Sequence, residues 1–129
     1  MFNLFNLFAN KMSDIDPAGF DPTAYEGKAE QIDLAKAVEI KKRNPEDVYL
    51  LDVRTKPEFN QAHVEGSEHL DVMALFNKLP DKYEEDKLFL VYCNTGGSSM
   101  QAQQILEQKG YRAINAGGII GYQGKILRK

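Results

Sequence analysis

The stretch Leu88-Phe89-Leu90-Val91-Tyr92-Cys93-Asn94-Thr95-Gly96-Gly97-Ser98-Ser99 decides the fold. Leu88 to Tyr92 is a short, unbroken apolar run, which suits a strand buried on both faces. Thr95-Gly96-Gly97-Ser98-Ser99 is turn chemistry. Ser98 to Lys109 then reads as a helix: Met100, Ala102, Ile105 and Leu106 fall near helical spacing, and Gly110 stands where a helix stops. A buried strand, a glycine turn and a helix in that order belong to a parallel sheet, where each strand needs a crossover before the next.

Working outward, Val48 to Val53 is a second buried strand. Ile32 to Asn44 is a helix that Asp33 can cap and Asn44-Pro45 ends. Short helices are expected over Glu58 to Gln61, with Pro57 in its first turn, and over Val72 to Lys78, stopped by Pro80. Tyr111 to Ile114 reads as a short strand, Gly117-Gly118 as a turn, and the chain from about Ile119 as a final helix. The fold class is therefore α/β, a mostly parallel sheet with helices on both faces. Residues 1–28 form an N-terminal extension and linker, and residues 29–129 the domain. The extension opens with an apolar Phe-Asn-Leu repeat from Met1 to Phe8, then carries Pro17, Gly19, Pro22 and Gly27 among acidic residues. The apolar repeat is too short to span a bilayer. It is read as a segment that docks on a partner or on its own domain.

With 129 residues and 43% apolar composition, the chain can bury a core without disulfides or a structural metal. A net charge of −3 with mixed signs argues against a nucleic-acid partner. One cysteine allows no internal disulfide, and with His63 and His69 the only imidazoles a metal site is not expected. No cofactor is implied. A lone thiol suits a reducing compartment, so the protein is expected in the cytoplasm.

Chemistry points to Cys93. Ligands in open parallel sheets bind beyond the carboxyl ends of the strands, and Cys93 stands at such an end. A glycine-rich turn lets successive backbone N–H groups converge on an anion, and the following helix adds unpaired donors and partial positive charge. Such a site favours a thiolate, or equally a persulfide anion. Thr95, Ser98 and Ser99 add hydroxyls around the same point. The competing reading of a free cysteine is a small buried hydrophobe.

Several segments together resemble a known family, the single-domain rhodaneses or sulfurtransferase homology domains. Leu50-Leu51-Asp52-Val53-Arg54 with Glu58 resembles the family's "DVR…E" segment, and His63-Val64-Glu65-Gly66-Ser67 its "HIPGA" turn. Val91 to Ser99 resembles its active-site loop, commonly C-x-x-G-x-R-S. Asn115-Ala116-Gly117-Gly118-Ile119 resembles its closing Gly-Gly segment. The resemblance covers about residues 29–124. It implies a five-stranded, mostly parallel sheet and a ping-pong reaction: Cys93 takes a sulfane sulfur from thiosulfate or a persulfide donor and passes it to a thiol or cyanide. The acceptor thiol could equally belong to a protein. Cys93 is then the catalytic residue and Asn94, Thr95, Gly96, Gly97, Ser98 and Ser99 the substrate-binding loop, with Asp52 and Arg54 in support. The alternative is a catalytically weak rhodanese-like module that binds a protein partner, carries sulfur or regulates.

Two features of the loop refine that expectation. Related phosphatases use one more loop residue, C-x5-R, and no Arg lies between Cys93 and Gly110, so the bidentate phosphate clamp is missing. Ser98 also stands where the sulfurtransferase loop often carries Arg. Anion affinity must then rest on backbone N–H groups and hydroxyls, and a dianion such as thiosulfate should bind less well than with the Arg. Arg54 is expected to pair with Asp52 or Glu58, chiefly as a fold-stabilising ion pair. His63 is expected to bond within its own turn, and His69 to lie at the surface or a strand edge.

Overall fold

The computed structural model describes residues 11–12, 14–26 and 30–129. In chain order its elements are β1 (Lys11–Met12), β2 (Glu30–Gln31), α1 (Leu34–Arg43), β3 (Val48–Asp52), α2 (Lys56–Gln61), β4 (Ala62–Val64), β5 (Glu68–His69), β6 (Leu88–Cys93), α3 (Gly97–Gln108), β7 (Arg112–Gly118) and β8 (Ile126–Arg128). Short 3-10 helices cover Pro17–Gly19 and Val72–Phe76. The apolar repeat Met1 to Phe8 lies outside the described residues.

Local chemistry accounts for the element ends. The Asp33 carboxylate accepts from the Ala35 N–H and starts α1. At α2, Thr55 and Glu58 form a reciprocal capping box, with a proline in the first turn. Gly96, at φ +106, caps α3 without a side chain. Val72 to Lys78, expected as a helix, is instead the 3-10 helix Val72–Phe76, capped by Asp71.

The main sheet runs β1-β2-β7-β6-β3-β5, every pair parallel. The α/β class with a parallel sheet holds. The described residues give this sheet six strands rather than five. The addition is explained by backbone pairing of Lys11–Met12 onto Glu30–Gln31 at one edge.

β6 lies between β3 and β7 and is buried along its whole length. Its side chains alternate between the two faces. Leu88, Leu90 and Tyr92 join Leu34, Val38 and Ile40 of α1. Phe89, Val91 and Cys93 join Ala102, Ile105 and Leu106 of α3. Cys93 therefore faces α3. The segment before residue 29 also packs down: Ile15, Phe20 and Tyr25 lie against the α1-side core. Arg112 donates to the carbonyls of Pro22 and Tyr25, at 2.6 and 2.9 Å.

The end of the chain departs from expectation. Gly117-Gly118 is not a turn but the end of β7, and no helix follows Ile119. Between Val91 and Cys93 the register shifts, so that Val91 faces Asn115 while Cys93 faces Gly118. The extra residue is a bulge, which Gly117 accommodates at φ +73. A helix past Ile119 is broken by Gly121 at φ +88 and by Gly124, which leaves no room for a Cβ against the Tyr122 ring. The chain instead returns as β8, antiparallel to β4.

Tyr92 ties that small sheet to the main one. Its buried hydroxyl accepts from the Val64 N–H at 3.0 Å and meets the Ser67 hydroxyl at 2.9 Å. Tyr92→Phe leaves the buried Val64 N–H without this acceptor. It should cost about 1–3 kcal/mol, read as a lowered urea midpoint with an unchanged slope. An unaltered midpoint would show that the hydroxyl carries no such weight.

Candidate active site

β6 delivers Cys93 to the carboxyl edge of the sheet, and the chain then turns through Asn94 to Gly96 into α3. The turn folds back on the sulfur. The Gly96 N–H donates to Cys93 Sγ at 3.0 Å, and the Ser99 hydroxyl lies 3.3 Å away. The N–H groups of Thr95 and Ser99 add favourable electrostatics at the sulfur. Burial alone pushes the Cys93 thiol up. The Ser99 hydroxyl and the backbone N–H groups of Ser99, Gly96 and Thr95 outweigh it and hold the thiol below its ordinary value. A lowered value means more thiolate at neutral pH, and hence a better nucleophile population.

A cavity of about 340 Å³ opens over this turn. Cys93, Asn94, Thr95 and Ser98 line one side, and Arg54, Thr55 and Glu58 line another. Asp71, Val72 and Met73 complete the wall, with Met73 exposed. Arg54 is the one Lys or Arg among the described lining residues. Gly96 and Gly97 shape the turn. Ser99 points away from the cavity into the core, where its hydroxyl donates to Asn115 Oδ1 at 2.7 Å.

Asp52 and Arg54 form a buried pair, with Nη2–Oδ2 at 2.7 Å and side chains 0% and 9% exposed. Burial lowers the Arg54 guanidinium, and the Asp52 carboxylate more than offsets it. Between the two partners open in the sequence, Arg54 thus takes Asp52. Glu58 is engaged otherwise: its carboxylate accepts from Asn94 Nδ2 at 2.8 Å and closes the Thr55 capping box. These bonds hold Glu58 below the usual carboxylate range. Arg54 Nη1 donates to Asn94 Oδ1 at 3.3 Å, so one amide links both walls. His63 bonds the Phe59 carbonyl through Nδ1 at 2.8 Å and stacks on the Phe59 ring. His69, on edge strand β5, sets Nε2 2.6 Å from the Arg54 carbonyl.

Sequence reasoning passed over Asn115. It is 1% exposed, accepts from Ser99 Oγ and from the Gly117 N–H, and donates to the Gly96 carbonyl at 3.1 Å. The available signal was its setting: an amide inside the apolar run Ala113-Ile114-Asn115-Ala116 is buried, so it must find partners.

The family model for the rhodanese-like domain matches residues 33–125. The chain belongs to the rhodanese-like domain family. Relatives include thiosulfate sulfurtransferase PspE of Escherichia coli strain K12, 36% identical over 74 residues, 54% of this chain and 68% of that protein. Thiosulfate sulfurtransferase GlpE of Coxiella burnetii is 31% identical over 84 residues, 65% of this chain and 76% of its own. Among solved structures, a rhodanese with anions from E. coli superposes with a TM-score of 0.57 at 27% identity, over 64% of this chain and 99% of the other. A rhodanese-like domain protein from Staphylococcus aureus has the same fold, with a TM-score of 0.65 at 20% identity, covering 77% and 97%.

In this rhodanese-like domain a closing glycine, Gly118, presses on the turn that follows Cys93. A Cβ on Gly118 would lie 2.0 Å from the Asn94 carbonyl oxygen and 2.6 Å from Thr95 Cα. Both obstacles are backbone, so the turn itself must move. Gly118→Ala should lower stability by about 1–3 kcal/mol in denaturant unfolding. A variant as stable as the parent would contradict the close approach.

Proposed function

We propose that the protein is a sulfurtransferase that carries sulfane sulfur on Cys93. The observation that carries this reading is the Cys93 sulfur beneath converging N–H donors at the floor of a cavity. The relatives named thiosulfate sulfurtransferase support the same reaction class. The Cys93 thiolate attacks the outer sulfur of a donor. With thiosulfate, the S–S bond breaks, its electron pair leaves with sulfite, and Cys93 holds a persulfide anion. An acceptor thiol or cyanide then attacks the terminal sulfur, and Cys93 returns as thiolate. The N–H donors of the loop stabilise negative charge through both halves. Asn94, Thr95 and Ser98 border the incoming donor, Gly96 and Gly97 give the turn its shape, and the Asp52–Arg54 pair supports the opposite wall. Small donors and a small-molecule or protein thiol suit a cavity of this size. The chemistry needs Cys93 reduced, and on that ground we place the protein in the cytoplasm. Among the described residues no helix is long and apolar enough to cross a membrane.

Incubation with thiosulfate or glutathione persulfide, followed by intact-mass measurement, tests the reading. The parent should gain one sulfur atom that cyanide removes, and Cys93→Ser should gain none. If no donor leaves an adduct on the parent, the protein is a partner-binding module instead.

Donor charge gives a second test. Arg54 lines the cavity but already donates to Asp52, Asn94 and the Ala62 carbonyl, and Glu58 and Asp71 stand nearby. Ser98 is exposed at the cavity wall, where an Arg would add an uncommitted cation. Ser98→Arg should lower the KM for thiosulfate by about tenfold, the weight of one charge-assisted hydrogen bond. An unchanged KM would remove the electrostatic explanation.

A further inference from the structure

Cys93 must alternate between thiolate and persulfide, and the charge moves with it. In the persulfide the charge sits on the terminal sulfur, out toward the cavity. When the acceptor takes that sulfur, the electron pair of the broken bond falls back on Sγ. Something must meet the charge at Sγ itself, on a residue only 4% exposed to solvent.

Ser99 stands where that charge returns. Its hydroxyl has one proton and three acceptors within reach: Asn115 Oδ1 at 2.7 Å, the Gly117 carbonyl at 3.2 Å and Cys93 Sγ at 3.3 Å. While Sγ carries a proton, the S–H can donate to Ser99 Oγ and the hydroxyl to Asn115. While Sγ is a thiolate, the hydroxyl can turn and donate to it. The turn leaves no buried orphan, because Asn115 Oδ1 keeps the Gly117 N–H at 2.9 Å. Asn115 Nδ2 meanwhile holds the Gly96 carbonyl at 3.1 Å, which fixes the start of α3 under the sulfur.

We propose that Ser99 is a catalytic residue that stabilises Cys93 Sγ as the leaving group, and that Asn115 is the positioning residue whose Oδ1 accepts the Ser99 hydrogen bond when Sγ is loaded. The proposal rests on the sulfur-transfer reading and assigns the second half-reaction. With cyanide, the cyanide carbon attacks the terminal sulfur. The cyanide lone pair becomes the new carbon–sulfur bond, the bond between the two sulfurs breaks with its electron pair going to Sγ, and thiocyanate departs with the negative charge already on the terminal sulfur. The Ser99 proton then swings from Asn115 to Sγ, and no proton is lost or gained. The role separates Ser99 from Thr95 and Ser98, whose residues border the cavity. The charged groups around the sulfur are Arg54, Glu58 and Asp71 across the cavity, with Asp52 behind Arg54. None of them contacts Ser99 among the described bonds.

The pH profile of Cys93 alkylation by iodoacetamide tests the proposal without any sulfur donor. Ser99→Ala should slow alkylation at pH 7 by about tenfold, the loss of one hydrogen bond to an ionised sulfur. Its rate at high pH, where the thiolate is complete, should stay at the parent level. Ser99→Thr, which restores a hydroxyl, should recover most of the loss, and Ser99→Val, its shape match without one, should not. This pair also decides the matter if the alanine variant fails to fold. Asn115→Ala should change the rate at pH 7 by about threefold or more in the parent and by much less in Ser99→Ala, since no hydroxyl remains to aim. Identical profiles for parent and Ser99→Ala, or for the threonine and valine variants, would overturn the role of Ser99. Additive effects would overturn that of Asn115. A parent that shows this profile yet takes up no sulfur would overturn the transfer reading alone.

Discussion

Backbone pairing on both sides of Leu88–Cys93 is the constraint from which the rest follows. β3 and β7 occupy its two edges, so the strand has no freedom until it runs out of partners. The last residue with a fixed direction is Cys93, and alternation turns its side chain to the α3 face. From there the chain must leave the sheet at its carboxyl edge and come back as a helix on that same face. Among the N–H groups freed in this reversal, that of Gly96 donates to the sulfur. The side to which the thiol points is thus a consequence of strand length: with one residue fewer in β6, the thiol would face α1 and the opposite core.

The bulge in β7 completes the arrangement. Without a side chain at Gly118, β7 passes against the backbone of Asn94 and Thr95. Ile119 and Ile120 then donate to the carbonyls of Cys93 and Asn94, at 2.9 and 3.1 Å. The turn is consequently held from behind by main-chain bonds while the Gly96 N–H points forward to the sulfur. A loop so held keeps its donors oriented before any anion arrives, and that avoids reorganisation during reaction.

The elements that decide the fold were legible because each is locally consistent. Val48–Leu51 and Leu88–Cys93 are unbroken apolar runs, which is the mark of strands with two covered faces. Asp33 before α1 and Thr55-Lys56-Pro57-Glu58 at α2 are capping chemistry that depends only on neighbours. The place of Cys93 at the strand end was legible for the same reason, since strand, glycines and helix adjoin in sequence. What could not be read was set by distant partners. Gly117-Gly118 looks like a turn until the adjoining strand is known to need a bulge there. Ile126–Arg128 is a strand only because Ala62–Val64 offers an edge. Asn115 lies far from Cys93 in sequence, and its link to the loop exists only once β7 pairs with β6.

The wall opposite the loop shows how the donors of one cation are committed within the protein. A guanidinium has a fixed fork of N–H donors. Arg54 directs Nε and Nη2 at Asp52, gives Nη2 also to the Ala62 carbonyl and gives Nη1 to Asn94. All but one of its protons are engaged within the protein, and its charge faces a carboxylate with no exposure to solvent. Such a group fixes the position of Asn94 well and attracts an anion weakly. Asn94 passes the connection on to Glu58 at the start of α2. The two walls of the cavity are therefore joined by hydrogen bonds that do not depend on what the cavity holds. The Gly96 N–H that meets the Cys93 sulfur lies outside this network, and its direction is set by the backbone of the turn alone.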